Sequence, residues 1–283
     1  MKFREIYKKT VEILSSQTQD AEFEAMCLME KVFGVTRTQY YLKADEEAVA
    51  DKYDEMIKYS DRRVSGEPLQ YILGQWEFMG RTFFVGKGVL IPRPETEMIV
   101  EAALDFVKDK SAPVVIDLCS GSGCVGISIA AERPDSTVYL LEKSSDALFF
   151  LRKNIQLNNI QNIHVLEGDI FSDFNTVNML KPDLIVSNPP YIESDTIPFL
   201  QKEVLEEPKT ALDGGKDGLD FYRAISEHWL PLLNINGAVI VECGENQGER
   251  ICSIFKQNSR IKSASYKLDY NGNERMVSAY ADS

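Results

Sequence analysis

The chain has 283 residues and a formal net charge of −13, with 44% apolar and 27% charged residues. This composition is typical of a globular protein that builds its own core, which excludes a disordered chain, and the length suits a small domain beside a larger one. The acidic balance argues against a protein that wraps nucleic acid, because neutralising phosphates requires a basic surface. We therefore expect two domains and no stable nucleic-acid partner.

The residue inventory also argues against a membrane protein and a metalloenzyme. No apolar run reaches the roughly 18 residues of a membrane span, and the charged start Met1–Ile6 does not resemble a signal peptide. The five cysteines are scattered without a CxxC pair, and the two histidines show no ligand spacing. We expect a cytoplasmic protein with reduced cysteines, no membrane partner and no metal site.

Apolar residues at helical spacing occupy the first part of the chain. The predicted helices run from Phe3 to about Leu14, from the N-cap Asp20 to Gly34, from Thr36 onward, and from about Glu46 to Val64. Residues 1–70 are therefore predicted to form a small all-α bundle in which no chemistry is visible.

Short aromatic and β-branched runs separated by glycines follow, so residues 71–91 are predicted to form a β-hairpin linker. A helix is then expected after Pro94, opening a domain of residues 92–283. In it, predicted strands alternate with helices: strand 114–119, helix 123–132, strand 137–142, helix 145–157, strands 163–167 and 183–187, helix 219–233 and strand 238–243. This alternation predicts a Rossmann-like α/β domain with a mostly parallel sheet. Asn271-Gly272-Asn273 indicates a final antiparallel hairpin.

A glycine-rich turn follows the first strand of this domain, where Ser120–Gly126 leads into a helix. Glycines allow a ligand to approach the backbone, and the helix N-terminus offers free N–H groups. Because the turn matches GxGxxG, an NAD-dependent dehydrogenase is one interpretation. Asp117, placed to face a ligand amine, favours S-adenosyl-L-methionine, whereas Glu142, placed to accept from ribose hydroxyls, suits both cofactors.

Asp169 follows the third strand, where its carboxylate is placed to accept from an adenine amino group while Ile170 or Phe171 covers the ring. The residues predicted to bind the cofactor are Asp117, Cys119, Ser120, Gly121, Ser122, Gly123, Glu142, Asp169, Ile170 and Asn188.

The tetrapeptide Asn188-Pro189-Pro190-Tyr191 directly follows strand 183–187. Two prolines hold the backbone rigid and leave its carbonyls free. A conjugated nitrogen is a poor nucleophile, and two acceptors, the Asn188 side-chain oxygen and the Pro189 carbonyl, are placed to hold its hydrogens and free its lone pair. All four residues are predicted to bind the substrate, with Asn188, Pro189 and Tyr191 catalytic and Tyr191 packed on the flat amide. The tetrapeptide thus predicts methylation of a planar nitrogen.

Several segments together resemble the HemK/PrmC family of protein-glutamine methyltransferases. The segments that carry the resemblance are Pro68–Gly74, Phe78–Phe83, Val89–Glu97, the glycine turn, the tetrapeptide, Glu206–Leu219 and Gly272–Arg275. This family modifies the glutamine of the Gly-Gly-Gln motif in bacterial class I peptide-chain release factors. The sequence departs mildly from it at Cys119-Ser120, at Glu142 and at Ile170.

The resemblance implies a seven-stranded class I methyltransferase domain, S-adenosyl-L-methionine as cofactor and S-adenosyl-L-homocysteine as product. It also implies that the helical bundle helps to hold the release factor and that the protein supports translation termination. Separately, we expect a monomer, although no feature of the sequence decides the oligomeric state. A nucleic-acid amino methyltransferase, acting on adenine or guanine, is the alternative, because it shares the tetrapeptide and its chemistry. Residues 203–220, acidic and downstream of the tetrapeptide, are where a lid is expected.

Overall fold

The structure, a computed structural model, describes residues 1–49, 51–177 and 180–282. The chain forms two compact units, one of Met1–Gln75 with Gln201–Glu206 and the other of Trp76–Leu200 with Glu207–Ser283. Within the described ranges, no helix has the length and apolar character needed to cross a membrane.

The first unit is helical. Its helices are α1 (Phe3–Leu14), α2 (Ala21–Phe33), α3 (Arg37–Lys43), α4 (Asp51–Val64), α5 (Leu69–Leu73) and, from the later segment, α9 (Lys202–Leu205). A capping box begins α3, where Thr36 Oγ1 accepts from the Gln39 N–H and the Gln39 side chain accepts from the Thr36 N–H. A left-handed Gly34, at φ +68°, ends α2.

The predicted start of the fourth helix at Glu46 is wrong. Glu47 instead forms an antiparallel bridge with Lys2, and the Glu46 carbonyl accepts from the Phe3 N–H at 3.2 Å. These bonds hold the backbone before α4 in an extended form. Ala50, within the predicted helix, lies outside the described residues.

The second unit carries a hairpin and a seven-stranded sheet. The hairpin pairs β1 (Gln75–Phe78), which starts at the last residue of the first unit, with β2 (Arg81–Phe84). The sheet strands are β3 (Val114–Leu118), β4 (Thr137–Glu142), β5 (Ile163–Glu167), β6 (Leu184–Ser187), β7 (Ala238–Glu242), β8 (Ile261–Leu268) and β9 (Glu274–Ala281). Their order is β5-β4-β3-β6-β7-β9-β8, parallel except for the antiparallel β9 and β8. The predicted fold class is confirmed.

Helices cover both faces of this sheet. They are α6 (Glu97–Val107), α7 (Cys124–Glu132), α8 (Ser145–Leu157), α10 (Asp220–Ala224) and α11 (Gly248–Lys256). Along β6, Leu184 and Val186 belong to the core cluster on one face and Ile185 to that on the other, so the strand is buried on both sides.

Two helical predictions in this unit need correction. The helix predicted over 219–233 becomes irregular after Ala224, because the chain continues as a wider π turn and a 3-10 turn that contains Pro231, which cannot donate a helical hydrogen bond. Helix α11 was missed by the sequence analysis, although its apolar residues Ile251, Cys252 and Phe255 have helical spacing.

Candidate active site

A cavity of about 870 Å³ opens beside the carboxyl ends of the central strands. The parallel pairing aligns the last residue of β3, Leu118, with Leu141 of β4 and with Ser187 of β6. The turns that leave these strands therefore meet at one edge of the sheet, which is where ligands bind in open α/β folds. All residues that line the cavity belong to the second unit.

The turn after β3 is shaped by left-handed residues. Cys119, Gly121 and Gly123 have φ values of +58°, +56° and +81°, and Gly123 is the N-cap of α7. Asn154 of α8 secures the turn, since its side-chain amide donates to the Ser122 carbonyl at 2.9 Å. The predicted residues Cys119, Ser120, Gly121 and Ser122 all line the cavity, whereas Gly123 is not among the lining residues.

Gly126, in the first turn of α7, explains why a helix can approach β3 and β4 so closely. A Cβ at this position would lie 2.1 Å from Leu140 Cδ2 and 3.0 Å from Asp117 Oδ2. The Gly126 N–H donates to Asp117 Oδ2 at 3.0 Å, so a larger residue here would disturb a cavity-lining carboxylate.

Asp117 is a buried carboxyl at the end of β3, only 1% exposed. Burial raises its pKa to about 8, and the nearby Glu142 also raises it, whereas hydrogen bonds from Gly126 and Ser120 lower it. None of these neighbours is a cation. The group is therefore suited to a positively charged ligand atom in the cavity.

The Glu142 carboxylate is held firmly by backbone N–H groups. Oε2 accepts from Gly121 at 2.8 Å, and Oε1 accepts from Lys143 at 2.8 Å and from Ser144 at 2.7 Å. Of the roughly four lone-pair directions of a carboxylate, three are therefore used and one, on Oε2, remains. Glu142 lines the cavity, so this direction is available to a ligand hydroxyl.

Asp169, Ile170 and Phe171 all line the cavity, but in different ways. Burial alone would raise the pKa of Asp169, but the hydrogen bond from Lys143 at 2.7 Å and the Phe171 N–H hold that pKa below its usual value. Ile170 is buried within the core, and its carbonyl accepts from Trp229 Nε1. Phe171 is 43% exposed and packs edge-on against Phe221, with ring centroids 4.9 Å apart.

The tetrapeptide enters the cavity through Asn188 and Pro190, whereas Pro189 and Tyr191 are not among the lining residues. Asn188 Nδ2 donates to Thr96 Oγ1 at 3.1 Å, so it is the nitrogen of the Asn188 amide, and not the oxygen, that is bonded to Thr96. The Tyr191 carbonyl accepts from Gln247 Nε2 at 2.9 Å, which anchors the backbone of the tetrapeptide.

Two buried residues that the sequence analysis missed support this arrangement. Thr96 Oγ1 donates to Glu242 Oε2 at 2.6 Å, and the Tyr191 hydroxyl donates to Glu242 Oε1 at 3.2 Å. Thr96 is 1% exposed and Glu242 is 2% exposed. In the sequence, Glu242 could have been identified as a candidate site residue by its position, because it is an acid at the carboxyl end of a central strand.

The loop that carries Thr96 is itself fixed by a buried carboxylate, Glu207. Glu207 pairs with Arg93, and its Oε2 accepts from the Ile91 N–H at 3.0 Å. The Ile91–Glu97 segment, singled out by its sequence, thus supplies one wall of the cavity.

Both parts of the chain are similar to families of known proteins. Residues 5–74 match the PrmC N-terminal domain family and residues 98–218 match the methyltransferase small domain family. A protein of Thermodesulfovibrio yellowstonii named release factor glutamine methyltransferase is 36% identical, covering 89% of this chain and 88% of its own length. One of the same name from Aquifex aeolicus is 33% identical over 98% of both chains.

A solved structure shares the fold at low sequence identity. The catalytic domain of hMettl16, in complex with MAT2A 3'UTR hairpin 6, superposes with a TM-score of 0.55, covering 81% of both chains at 14% identity. This likeness supports the class I methyltransferase fold and no more.

Proposed function

Since the chain belongs to the family of release factor glutamine methyltransferases, we propose that it methylates the side-chain amide nitrogen of the glutamine in the Gly-Gly-Gln motif of bacterial class I release factors. The observation that carries the proposal is the Asn188 amide, which lines the cavity while its nitrogen is bound to Thr96. Because the family is one of methyltransferases, the dehydrogenase interpretation of the glycine turn is wrong.

The methyl donor we propose is S-adenosyl-L-methionine. The cavity, at about 870 Å³, lies within the usual range for small-molecule sites, and Asp117 offers it a buried carboxyl with no cation among the neighbours that set its pKa. When bound, this donor supplies a methyl group on a positively charged sulfur; the amide nitrogen forms the N–C bond as the C–S bond breaks, S-adenosyl-L-homocysteine leaves, and one proton goes to water.

Each predicted cofactor residue receives a role from its chemistry. Asp117 would face the amine of the methionine part, Glu142 the ribose hydroxyls, and Asp169 the adenine amino group. The turn residues Cys119, Ser120, Gly121, Ser122 and Gly123 would allow the close backbone approach, and Asn188 would border the reacting methyl. We propose that Phe171 covers the adenine ring, because its side chain is exposed and lines the cavity. The buried Ile170 would contact the adenine from the side of the protein core.

The tetrapeptide would activate the substrate by orientation. The amide lone pair of glutamine is delocalised, so acceptors must hold its two hydrogens for the lone pair to face the methyl group. Asn188 Oδ1 and the Pro189 carbonyl would be these acceptors. Pro190 lines the cavity, and Tyr191, which does not line it in the free protein, would pack on the flat amide once the substrate is bound. Positioning of this kind contributes several kcal/mol to catalysis.

We further propose a division of labour along the chain. Residues 1–70 would recognise the release factor, residues 71–91 would link, and residues 92–283 would carry the reaction, in a monomer acting where translation takes place, in the cytoplasm.

The proposal is tested by incubating the protein with methyl-labelled S-adenosyl-L-methionine and a purified class I release factor. We expect label on the release factor and none when its Gly-Gly-Gln glutamine is replaced by alanine. Label that persists on that alanine variant, or that enters DNA or rRNA instead, would contradict the proposal and, in the second case, favour the nucleic-acid alternative.

The substitution Asn188→Ala tests the role of the tetrapeptide in the reaction. We expect its turnover to fall by a factor of roughly 100 or more, because an acceptor aimed at the reacting group is lost. Its affinity for S-adenosyl-L-methionine, measured by calorimetry, should change little. A variant with wild-type turnover would refute the role of Asn188.

A further inference from the structure

The direction of the Asn188 amide is the central geometric requirement of the proposed reaction. An Asn side chain has almost the same shape when its oxygen and nitrogen are exchanged, so only hydrogen-bond partners decide which of them faces the cavity. The oxygen has to face the substrate, since a glutamine N–H needs an acceptor. Within the described residues, the Asn188 nitrogen donates to one side chain, Thr96 Oγ1, at 3.1 Å.

Thr96 alone cannot fix this direction. A hydroxyl donates one hydrogen and also accepts, so it would serve either the nitrogen or the oxygen of Asn188. In the structure the Thr96 hydrogen goes to Glu242 Oε2 at 2.6 Å. With its hydrogen used, Thr96 can only accept from Asn188.

Glu242 resolves the ambiguity because an ionised carboxylate only accepts hydrogen bonds. It lies at the end of β7, 2% exposed, and its second oxygen accepts from the Tyr191 hydroxyl at 3.2 Å. The Tyr222 hydroxyl donates to the Glu242 carbonyl at 2.8 Å, which holds the backbone in place. One carboxylate thus anchors both ends of the tetrapeptide.

We propose that Glu242 is a positioning residue whose ionised carboxylate fixes the direction of the hydrogen bonds Asn188 to Thr96 to Glu242, so that the Asn188 oxygen faces the substrate amide. This inference rests on the proposed function for its consequence in turnover. The orientation of the amide itself is a property of the free protein and does not depend on the substrate.

The surroundings of Glu242 make its charge state sensitive to pH. Its pKa is raised above the ordinary 4.5, chiefly by burial and also by the nearby Glu95, although the hydrogen bond from Thr96, the Arg275 guanidinium and the hydrogen bond from Tyr191 lower it. Cys124, Cys243 and Tyr222 are further titratable groups that interact electrostatically with Glu242. A protonated Glu242 would donate to Thr96 and release the Thr96 hydrogen toward Asn188, so turnover should fall as the pH drops through its pKa.

Three substitutions distinguish this positioning role from a general loss of folded structure. Glu242→Gln keeps the shape but adds a donor, Thr96→Val keeps the shape but removes the hydroxyl, and Thr96→Ser keeps the hydroxyl. We expect kcat to fall by roughly tenfold to a hundredfold in the first two, as for a misplaced reacting group. Thr96→Ser should stay within about threefold of wild type, and KM for the release factor should change by less than about threefold throughout.

The matched control is Glu274→Gln. Glu274 lies on the neighbouring β9, accepts from the Gly248 N–H at 2.7 Å and does not line the cavity. We expect this variant to keep the wild-type kcat and its dependence on pH. Thermal unfolding shows whether each variant is folded, and in Glu242→Gln the low-pH loss of kcat that belongs to Glu242 should disappear.

A second readout does not need the substrate. In ¹⁵N NMR spectra of the free protein, the Asn188 side-chain NH2 signal, identified by its absence in Asn188→Ala, should exchange slowly with water and should shift in Glu242→Gln but not in Glu274→Gln. Equal kcat in wild type and Glu242→Gln, or an unshifted Asn188 signal, overturns the inference. A wild-type protein that does not methylate release factors overturns the proposed function, whereas the NMR result still decides the orientation.

Discussion

Asp117 is a buried carboxyl in the cavity whose charge should depend on the ligand that enters. Burial raises its pKa from the ordinary 3.8 to about 8, so near pH 6 the carboxyl of the free protein is mostly protonated. A ligand ammonium would favour the ionised form. Binding should therefore displace the proton.

We predict that S-adenosyl-L-methionine binding at pH 6 releases roughly one proton, and that its affinity rises between pH 6 and pH 8. Calorimetry in two buffers of different ionisation enthalpy measures the release, and Asp117→Asn should release none. An affinity that stays constant between these two pH values, or equal proton release in the variant, would count against the pairing of Asp117 with the ligand amine.

The same shift affects the stability of the free protein. Because the folded-state pKa is raised, the contribution of Asp117 is fully present below the unfolded value of 3.8 and is lost as the pH rises through about 8. The free energy of unfolding of wild type, relative to Asp117→Asn, should accordingly decline over this interval.

At the scale of elements, one buried ion cluster joins three helices of the first unit. Arg63 of α4 pairs with Glu24 of α2 at 2.7 Å and with Glu203 of α9 at 2.9 Å. The side chains of Arg63 and Glu24 are 6% and 9% exposed, and that of Glu203 is 27% exposed. The ion pair between Arg63 and Glu203 thus attaches the segment Gln201–Glu206, which comes much later in the sequence, to the other helices of this unit.

We predict that Arg63→Ala lowers the free energy of unfolding by about 3–5 kcal/mol, because it leaves the buried Glu24 carboxylate without its partner. Urea unfolding measures the change. The control is Arg62→Ala: Arg62 pairs with Glu67 on the surface, and its loss should cost no more than about 1 kcal/mol. If the two variants are equally stable, the buried cluster does not stabilise this unit.

The strand, turn and helix formed by β3, residues 119–123 and α7 were predictable because their signals are local. Four apolar residues around Asp117, a turn that contains Gly121 and Gly123, and an apolar helix follow one another in sequence. The irregular end of the helix predicted over 219–233 had a local signal, Pro231, which the helical spacing outweighed. The start of α4 had none, since the Lys2–Glu47 bridge forms only once the chain has folded.

At the scale of the whole molecule, the charge of −13 and the pI of about 4.8 bear on the choice of substrate. Phosphate backbones repel an acidic surface unless a basic patch compensates. In the described part of the chain, the two basic residues that line the cavity are paired, Lys143 with Asp169 and Lys209 with Asp213, and so is the adjacent Arg93, with Glu207.

We therefore predict that the dissociation constants for DNA and rRNA exceed about 0.1 mM at physiological salt, which is the weak end of non-specific binding. Fluorescence anisotropy with labelled oligonucleotides at two salt concentrations tests this, with a basic DNA-binding protein as the positive control. A tight complex that weakens steeply with salt would revive the nucleic-acid alternative.

The sequence by itself determined the features that are written in consecutive residues. Strand and helix periodicity gives the α/β sheet, and the position of Asp117, Glu142 and Asn188 at strand ends predicts that they line one edge. The structure brings these three residues to one cavity, as the parallel register requires.

Only the tertiary structure decided which distant partners hold these residues. Thr96 and Asn188 are 92 residues apart, and Thr96 and Glu242 are 146 apart, yet the neighbouring strands β6 and β7, with α6 packed against both, bring the three residues together. Arg63 and Glu24 meet in the same way across 39 residues. A hydrogen bond or ion pair between such positions leaves no periodic signal in sequence, because its geometry exists only once the elements have packed.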